Sequence, residues 1–145
     1  MRTRGFEVVR EEFKRTNGDI ILPTKGSKKA MAYDFYSNGN YAVEPGKIAK
    51  IWTDVKSYMQ DDEALVLNVR SSMGGKFMLA NTQGWIDSDY YENESNDGNI
   101  GIFLKNISDK NITIEKGDRI AQGMFIKFLT ADNGNTNSKR TGGFG

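Results

Sequence analysis

Apolar residues in this chain recur with a period of two, in runs too short for a helix and closed off by turn residues. Leu65, Leu67 and Val69 alternate with Val66, Asn68 and Arg70. Ile51, Thr53 and Val55 form one face of a second run, entered through the turn Glu44-Pro45-Gly46-Lys47. Ile100, Ile102 and Leu104 form a third. Ile112 and Ile114 lead into the turn Glu115-Lys116-Gly117-Asp118, and Ile120, Met124, Ile126 and Phe128 continue beyond it. Alternate side chains of a strand point to opposite faces, so each run can bury one face. No window keeps a 3.6-residue period beyond three turns, although Asp61–Leu67 has room for one helical turn. Short strands separated by frequent turns predict an all-β sandwich, jelly roll or barrel. A length of 145 residues predicts one domain with a small core.

Two absences narrow the chemistry. The chain has no Cys, which removes disulfides, thiol nucleophiles and thiolate metal sites. It has no His, which removes the commonest general base, the Ser-His-Asp triad and most zinc enzymes. A catalytic base would have to be a carboxylate, or less often Lys or Tyr, and a metal would be a hard, oxygen-bound cation such as Mg²⁺. With 20 basic and 19 acidic residues, the charge balance points to neither a nucleic-acid nor a membrane surface. No apolar run approaches the ~20 residues of a membrane span. No apolar stretch follows the basic start Met1-Arg2-Thr3-Arg4, so a cytoplasmic location is expected.

Four segments hold residue types that could bind or cut a phosphate ester. In Asn68-Val69-Arg70-Ser71-Ser72-Met73-Gly74-Gly75, an Arg fork, two hydroxyls and two glycines could cradle an anion, or could simply end a strand. In Gly84-Trp85-Ile86-Asp87-Ser88-Asp89-Tyr90, two carboxylates lie two apart and would share a strand face. One of them could orient and deprotonate water; the alternative is a solvated acidic turn. Lys116-Gly117-Asp118-Arg119-Ile120-Ala121-Gln122 could be a hairpin turn whose Asp and Arg pair locally. Ala32-Tyr33-Asp34-Phe35 could be a strand with one exposed acid. The Asn-, Gly-, Ser- and Lys-rich segment 131–145 cannot bury a core of its own. It reads either as a disordered tail or as an arm that orders on a ligand, with a phosphate-seeking Arg140 and a stacking Phe144 on a glycine hinge.

Taken together and in this order, these segments resemble the five motifs of the trimeric dUTPase family. Tyr33-Asp34-Phe35 resembles the first, with Ala32 where Gly is usual; Ile21-Leu22-Pro23 upstream also fits. Arg70-Ser71-Ser72 matches the second, Gly84–Tyr90 the third, Gly117–Gln122 the fourth and Arg140–Gly145 the fifth. The resemblance covers roughly residues 20–145. The chain departs from the family pattern at Glu92–Asp97, interposed before Gly98-Asn99-Ile100, which we read as a surface hairpin extension that adds negative charge near the site and is a candidate surface for a protein partner. The fifth motif usually runs on through Ser/Thr-Gly past the position of Gly145.

The resemblance implies a distorted jelly-roll or β-clip-like barrel over residues 1–130 and a mobile arm over 131–145. It implies a homotrimer that hydrolyses dUTP with Mg²⁺. Asp87 would align the attacking water. Arg70, Ser71 and Gln122 would act with it on the phosphates, joined by the backbone at Ser72 and by Met73. Asp34 would hold the hydrated metal through water. Asn81, Gly84 and Ile86 would shape a uracil slot, and Tyr90 would pack under the sugar. Arg140 rather than Lys139 would clamp the γ-phosphate, and Phe144 would cover the base. Each site would draw on neighbouring subunits, the third supplying the arm. The nearest rival family, dCTP deaminase, shares Arg-Ser-Ser and Gly-Trp-Ile-Asp but needs a Glu where this chain reads Ile102-Phe103-Leu104. A non-catalytic regulatory module on the same scaffold is the other alternative.

Overall fold

A computed structural model describes residues 2–144. The run with the longest apolar stretch becomes an interior strand: β7 (Glu63–Asn68) is covered on both faces, with Leu65, Val66 and Leu67 all buried. It sits between β9 (Gly84–Asp87) and β12 (Arg119–Lys127) in a five-stranded sheet completed by β3 (Tyr33–Tyr36) and β2 (Thr24–Lys25). A second sheet places β10 (Gly101–Asn106) between β5 (Ile48–Trp52) and β8 (Phe77–Leu79). Two ribbons, β1 (Gly5–Val8) with β6 (Val55–Tyr58) and β4 (Tyr41–Val43) with β11 (Ile112–Ile114), complete the strands among the described residues. Every pairing is antiparallel. The all-β, jelly-roll-like expectation therefore holds, with the strands grouped in four sheets rather than one continuous barrel wall.

β10 shows the period-two rule directly. Ile102, Leu104 and Asn106 point inward and are solvent-free, while Phe103 is half-buried and Lys105 exposed on the other face. Phe35, Ile51, Leu65, Ile100 and Ile120 join the same core. At Gly123 of β12 a Cβ would lie 2.9 Å from both Leu67 Cδ2 and Phe35 Cε1, so the absent side chain lets β3 and β7 side chains close over the strand.

Three readings of the sequence need correction. Asp61–Leu67 holds no helical turn, because its apolar residues are taken up by β7. The run Ile51–Val55 is not one strand: β5 ends at Trp52, and Asp54 turns the chain with φ 58° before β6 begins. That corner is fixed by a fully buried Asp54 carboxylate, which accepts from the Arg15 and Thr16 amides, the Thr16 hydroxyl and the Asn99 side-chain amide at 2.6–3.1 Å.

The segment Glu92–Asp97 is the third correction. It is a run of turns rather than a hairpin, with φ positive at Glu92 and Asp97, and its Asn93, Asn96 and Asp97 are buried. Two of its three acids are paired, and only the exposed Glu94 keeps its charge free. The buried Lys56 ammonium donates to Asp97 at 2.9 Å and to Glu92 at 2.7 Å, and Arg10 donates to Asp97 through its amide and its guanidinium. Burial by itself raises the Asp97 pKa, but the Arg10 amide and the Lys56 and Arg10 charges outweigh it and hold the carboxyl below its usual range.

A depressed carboxylate stabilises the fold above its unfolded pKa, near 4, and loses that contribution as the pH falls through its lower folded value. Asp97→Asn, which removes the buried partner of Lys56 and leaves it only the half-exposed Glu92, should cost about 3 kcal/mol at neutral pH. Urea midpoints should show the gap between the two proteins closing as the pH is lowered toward 3; a constant gap would remove the charge as its cause.

Candidate functional site

The register of the five-stranded sheet assembles the first group of polar residues. Gln122 of β12 lies opposite Asp34 of β3 on one side and Asn68 of β7 on the other, and Thr24 of β2 lies opposite Asp34. Residues directly opposite in a sheet share a face, so the first, second and fourth motifs meet in one cross-strand row. β7 then leads through an extended Arg70 into a 3-10 turn at Ser71–Met73. Arg70 Nε donates to Asp34 Oδ1 at 3.1 Å and its Nη1 to Ser72 Oγ at 3.1 Å. Arg119 approaches the other Asp34 oxygen at 3.8 Å. Asp118 does not pair with Arg119: its carboxylate accepts the Glu115 amide and closes the turn before β12. Ser71 and Ser72 are exposed, and Ser72, Met73, Lys76 and Arg119 line an open cleft of roughly 390 Å³ beside them. The arrangement is an anion-accepting edge of two guanidiniums and two exposed hydroxyls.

The second group lies elsewhere. Asp87 closes β9, and Asp89 sits in the 3-10 turn Ser88–Tyr90, so the two carboxylates do not share a strand as their spacing suggested. The turn nevertheless aims both at one cation: Arg140 donates through Nε to Asp89 at 2.7 Å and through Nη2 to Asp87. Lys139 is exposed, with no such partner, which separates the two candidate arm cations. Behind Asp87 is a cavity of roughly 430 Å³ walled by Leu67, Ala80, Asn81, Gly84, Tyr90 and Phe103, with Ile86 also on its lining. At Gly84 a Cβ would meet Leu67 Cβ at 3.0 Å, so this wall tolerates little more than a glycine.

Tyr90 is both a wall of the cavity and part of the fold. Its ring borders the cavity, yet it is buried and its hydroxyl donates to the Asn99 carbonyl at 2.5 Å and accepts from Asn96 at 2.8 Å. Burial pushes its pKa up to about 12, so it remains a neutral, fixed wall. Asn96 belongs to the 92–97 segment, and so does Ser95, whose hydroxyl donates to the Thr141 carbonyl of the tail. The tail passes close at its glycines: a Cβ on Gly142 would lie 2.9 Å from Ser95 Oγ, and one on Gly143 2.9 Å from Tyr90. Phe144 then rests at the cavity mouth with its centroid 5.6 Å from that of Tyr90. Gly145 of the fifth motif lies outside the described residues.

The two groups occupy opposite ends of β7. Asp87 pairs with Ala64, while Arg70 lies six residues further on, about 20 Å of extended chain. Within one chain the sheet thus unites motifs one, two and four, and motifs three and five meet separately, with the tail on its own chain's Asp87 and Asp89 where the resemblance implied the arm of a third subunit. Sequence reading missed Arg119, Ser95, Asn96, Trp52 and Phe103 as contributors. Arg119 stood inside a quoted motif without a role; the others need the register, which only the pairing reveals. Among the described residues no group of three or more His, Cys, Asp or Glu side chains converges as a metal cage. No helix among them is long and apolar enough to cross a membrane.

The dUTPase family profile matches residues 18–145. The deoxyuridine 5'-triphosphate nucleotidohydrolase of Lactococcus lactis is 40% identical, across 100% of this chain and 97% of its own. The crystal structure of the dUTPase from Streptococcus mutans superposes with a TM-score of 0.78 at 35% identity, covering 89% of this chain and 99% of that one. The dUTPase of Staphylococcus aureus phage phi11, a structure described with a structural Mg(II) ion, is only 20% identical and shares the fold, with a TM-score of 0.69 over 94% of this chain and 98% of that one. With a profile match that spans the sheet row, the Asp87 cavity and the tail alike, this chain belongs to the dUTPase family.

Proposed function

We propose that this chain hydrolyses dUTP to dUMP and pyrophosphate by attack of water on the α-phosphorus, in a homotrimer. The observation that carries the reading is the Asp87 carboxylate, half-exposed at the mouth of a small, largely apolar cavity and already matched to an arginine of the tail. In this reading a uracil ring enters the slot between Ala80–Asn81 and Gly84–Ile86, and backbone groups of the turn that joins β8 to β9 read its edge. Tyr90 packs under the sugar and leaves no room for a 2′-hydroxyl. Asp87 takes a proton from the water as its oxygen bonds to the α-phosphorus, and the bond to the α–β bridging oxygen breaks. Ser71, Arg70 and Gln122 donate to the phosphates and stabilise the charge on the departing pyrophosphate. The Ser72 amide and Met73 line the same phosphate path. A carboxylate is a weak base, so orientation and neutralisation carry most of the rate.

Asp34 is tied to Arg70 and lies near Arg119, and a lone carboxylate among hydroxyls and amides suits a hydrated Mg²⁺ held chiefly by the nucleotide rather than by a protein cage. When bound, that ion supplies positive charge to the triphosphate; Asp34 would hold its water shell. Arg140 turns to the γ-phosphate when the nucleotide enters, since the fork that now takes two carboxylates is suited to phosphate oxygens. Residues 131–145 act as a mobile arm on a core of residues 1–130. The rival deaminase reading needs an acid where Phe103 lines the cavity, and Phe103 carries no proton. The inward side chains of 92–97 are committed to the fold, leaving only Glu92, Glu94 and Ser95 exposed for a protein partner.

The ~20 Å between Arg70 and Asp87 supports a site shared between copies. Three outcomes check the reading. Asp87→Asn should bind dUTP but release pyrophosphate at least about a hundredfold more slowly; near-native turnover would remove Asp87 as the base. Asp87→Asn and Arg70→Ala, each inactive, should regain about a quarter of the native sites when unfolded together and refolded as mixed oligomers; a mixture as dead as its parents would place the site within one chain. Removing Asn135–Gly145 should leave the oligomer intact in sedimentation and weaken both hydrolysis and nucleotide binding. Unchanged kinetics would reduce the arm to a tail.

A further inference from the structure

We propose that Trp52, braced by Arg15, is a positioning residue for the C-terminal arm: it forms a seat that fixes Phe144 at the cavity mouth. The inference rests on the reading above that the arm closes over bound nucleotide. The seat follows from the register of β5 and β10. Trp52 lies opposite Gly101, and Phe103, two residues along β10, projects from the same face. Gly101 has no side chain between them; a Cβ there would lie 2.8 Å from Phe103 and 3.2 Å from Trp52. The two rings therefore meet edge to face over the glycine, with centroids 5.4 Å apart. Phe144 completes the cluster, 5.5 Å from Trp52 and 5.6 Å from Phe103. Its backbone adopts φ 58°, a conformation that a non-glycine residue keeps only where its surroundings hold it.

The support beneath Trp52 is specific. The Arg15 guanidinium lies 4.0 Å from the centre of the Trp52 ring, within cation–π range. Arg15 is itself held, because its amide donates to the buried Asp54 carboxylate at 2.9 Å. It precedes the residues matched by the family profile, so this brace comes from the chain's own N-terminal segment. Trp52 is absent from the lining of the nucleotide cavity, whereas Phe103 is on it. Substituting Trp52 can therefore disturb the arm's seat without removing a wall of the cavity.

The test is a double-mutant cycle on the affinity for α,β-imido-dUTP, a non-hydrolysed analogue, measured by calorimetry with Mg²⁺. Trp52→Ala in the full chain should weaken binding roughly tenfold. Trp52→Phe, which retains a ring, should recover most of the loss. In the chain lacking Asn135–Gly145, Trp52→Ala should have no further effect, because the seat then has nothing to hold. An equal loss with and without the arm would assign Trp52 to the fold alone and overturn the inference. Native affinity of the truncated chain with Trp52 intact would instead overturn the arm's role, and the seat with it. In a Trp85→Phe background Trp52 is the single indole. Adding the analogue should then change Trp52 emission in the full chain but not in the truncated one; an identical response in both would likewise sink the seat.

Discussion

Burial of β7 on both faces governs everything the molecule can do. A strand that is apolar on both sides must run through the middle of its sheet, and here it leaves the core only at its ends. One end continues into Arg70 and the exposed hydroxyls of Ser71 and Ser72; the other faces Asp87 across β9. Arg70 and Asp87 are thereby held about 20 Å apart within one chain. In the reading proposed above, a second copy would present the opposite end of its own β7 to complete the arrangement, and oligomer and chemistry would then follow from one strand's composition.

Much of this was legible in the sequence because period two is a local signal. Ile100, Ile102 and Leu104 announce β10, and Leu65 with Leu67 announce β7. The cross-strand row of Asp34, Gln122 and Asn68 was not legible from periodicity. It depends on pairing between segments separated by dozens of residues, and the bulge of β12 between Arg119 and Ala121 shifts its register by one. The ordered motifs identified the participants; the sheet shows why they converge. Asp61–Leu67 misled because acidic residues before an apolar run suit a helix start as well as a strand entry. The Ile51–Val55 run misled because its alternation passes through a corner that only the buried Asp54 network makes possible.

The segment Glu92–Asp97 misled more instructively. Polar, acidic sequence between strands ordinarily means an exposed loop. Here Glu92 and Asp97 are answered from outside the segment, by Lys56 of β6 and Arg10 of the N-terminal strap, and the asparagines satisfy one another and the Tyr90 carbonyl. A buried charge is tolerable when paired and hydrogen-bonded, and the local sequence cannot reveal distant partners. The result is a rigid platform that fixes the Tyr90 hydroxyl and offers Ser95 to the passing arm.

That platform bears on when the arm closes. Ordering a residue costs ~1–2 kcal/mol, and an aromatic edge contact contributes only ~0.5–1.5 kcal/mol. The Arg140 pairs with Asp87 and Asp89 are largely solvated and add little more. Ring contacts and exposed ion pairs therefore leave the strap from Arg140 to Phe144 close to balance, with Gly142 and Gly143 adding backbone freedom to be lost. In the proposed reading a bound triphosphate would change that balance, because it would give the arginine a desolvated phosphate partner in place of two wet carboxylates and give Phe144 a base to cover. In the proposed reading, closure coupled to the nucleotide would also free Asp87 from its guanidinium as a water is aligned against it. Occupation of the site and exposure of the carboxylate would then be a single event, made reversible by the weak contacts of the seat.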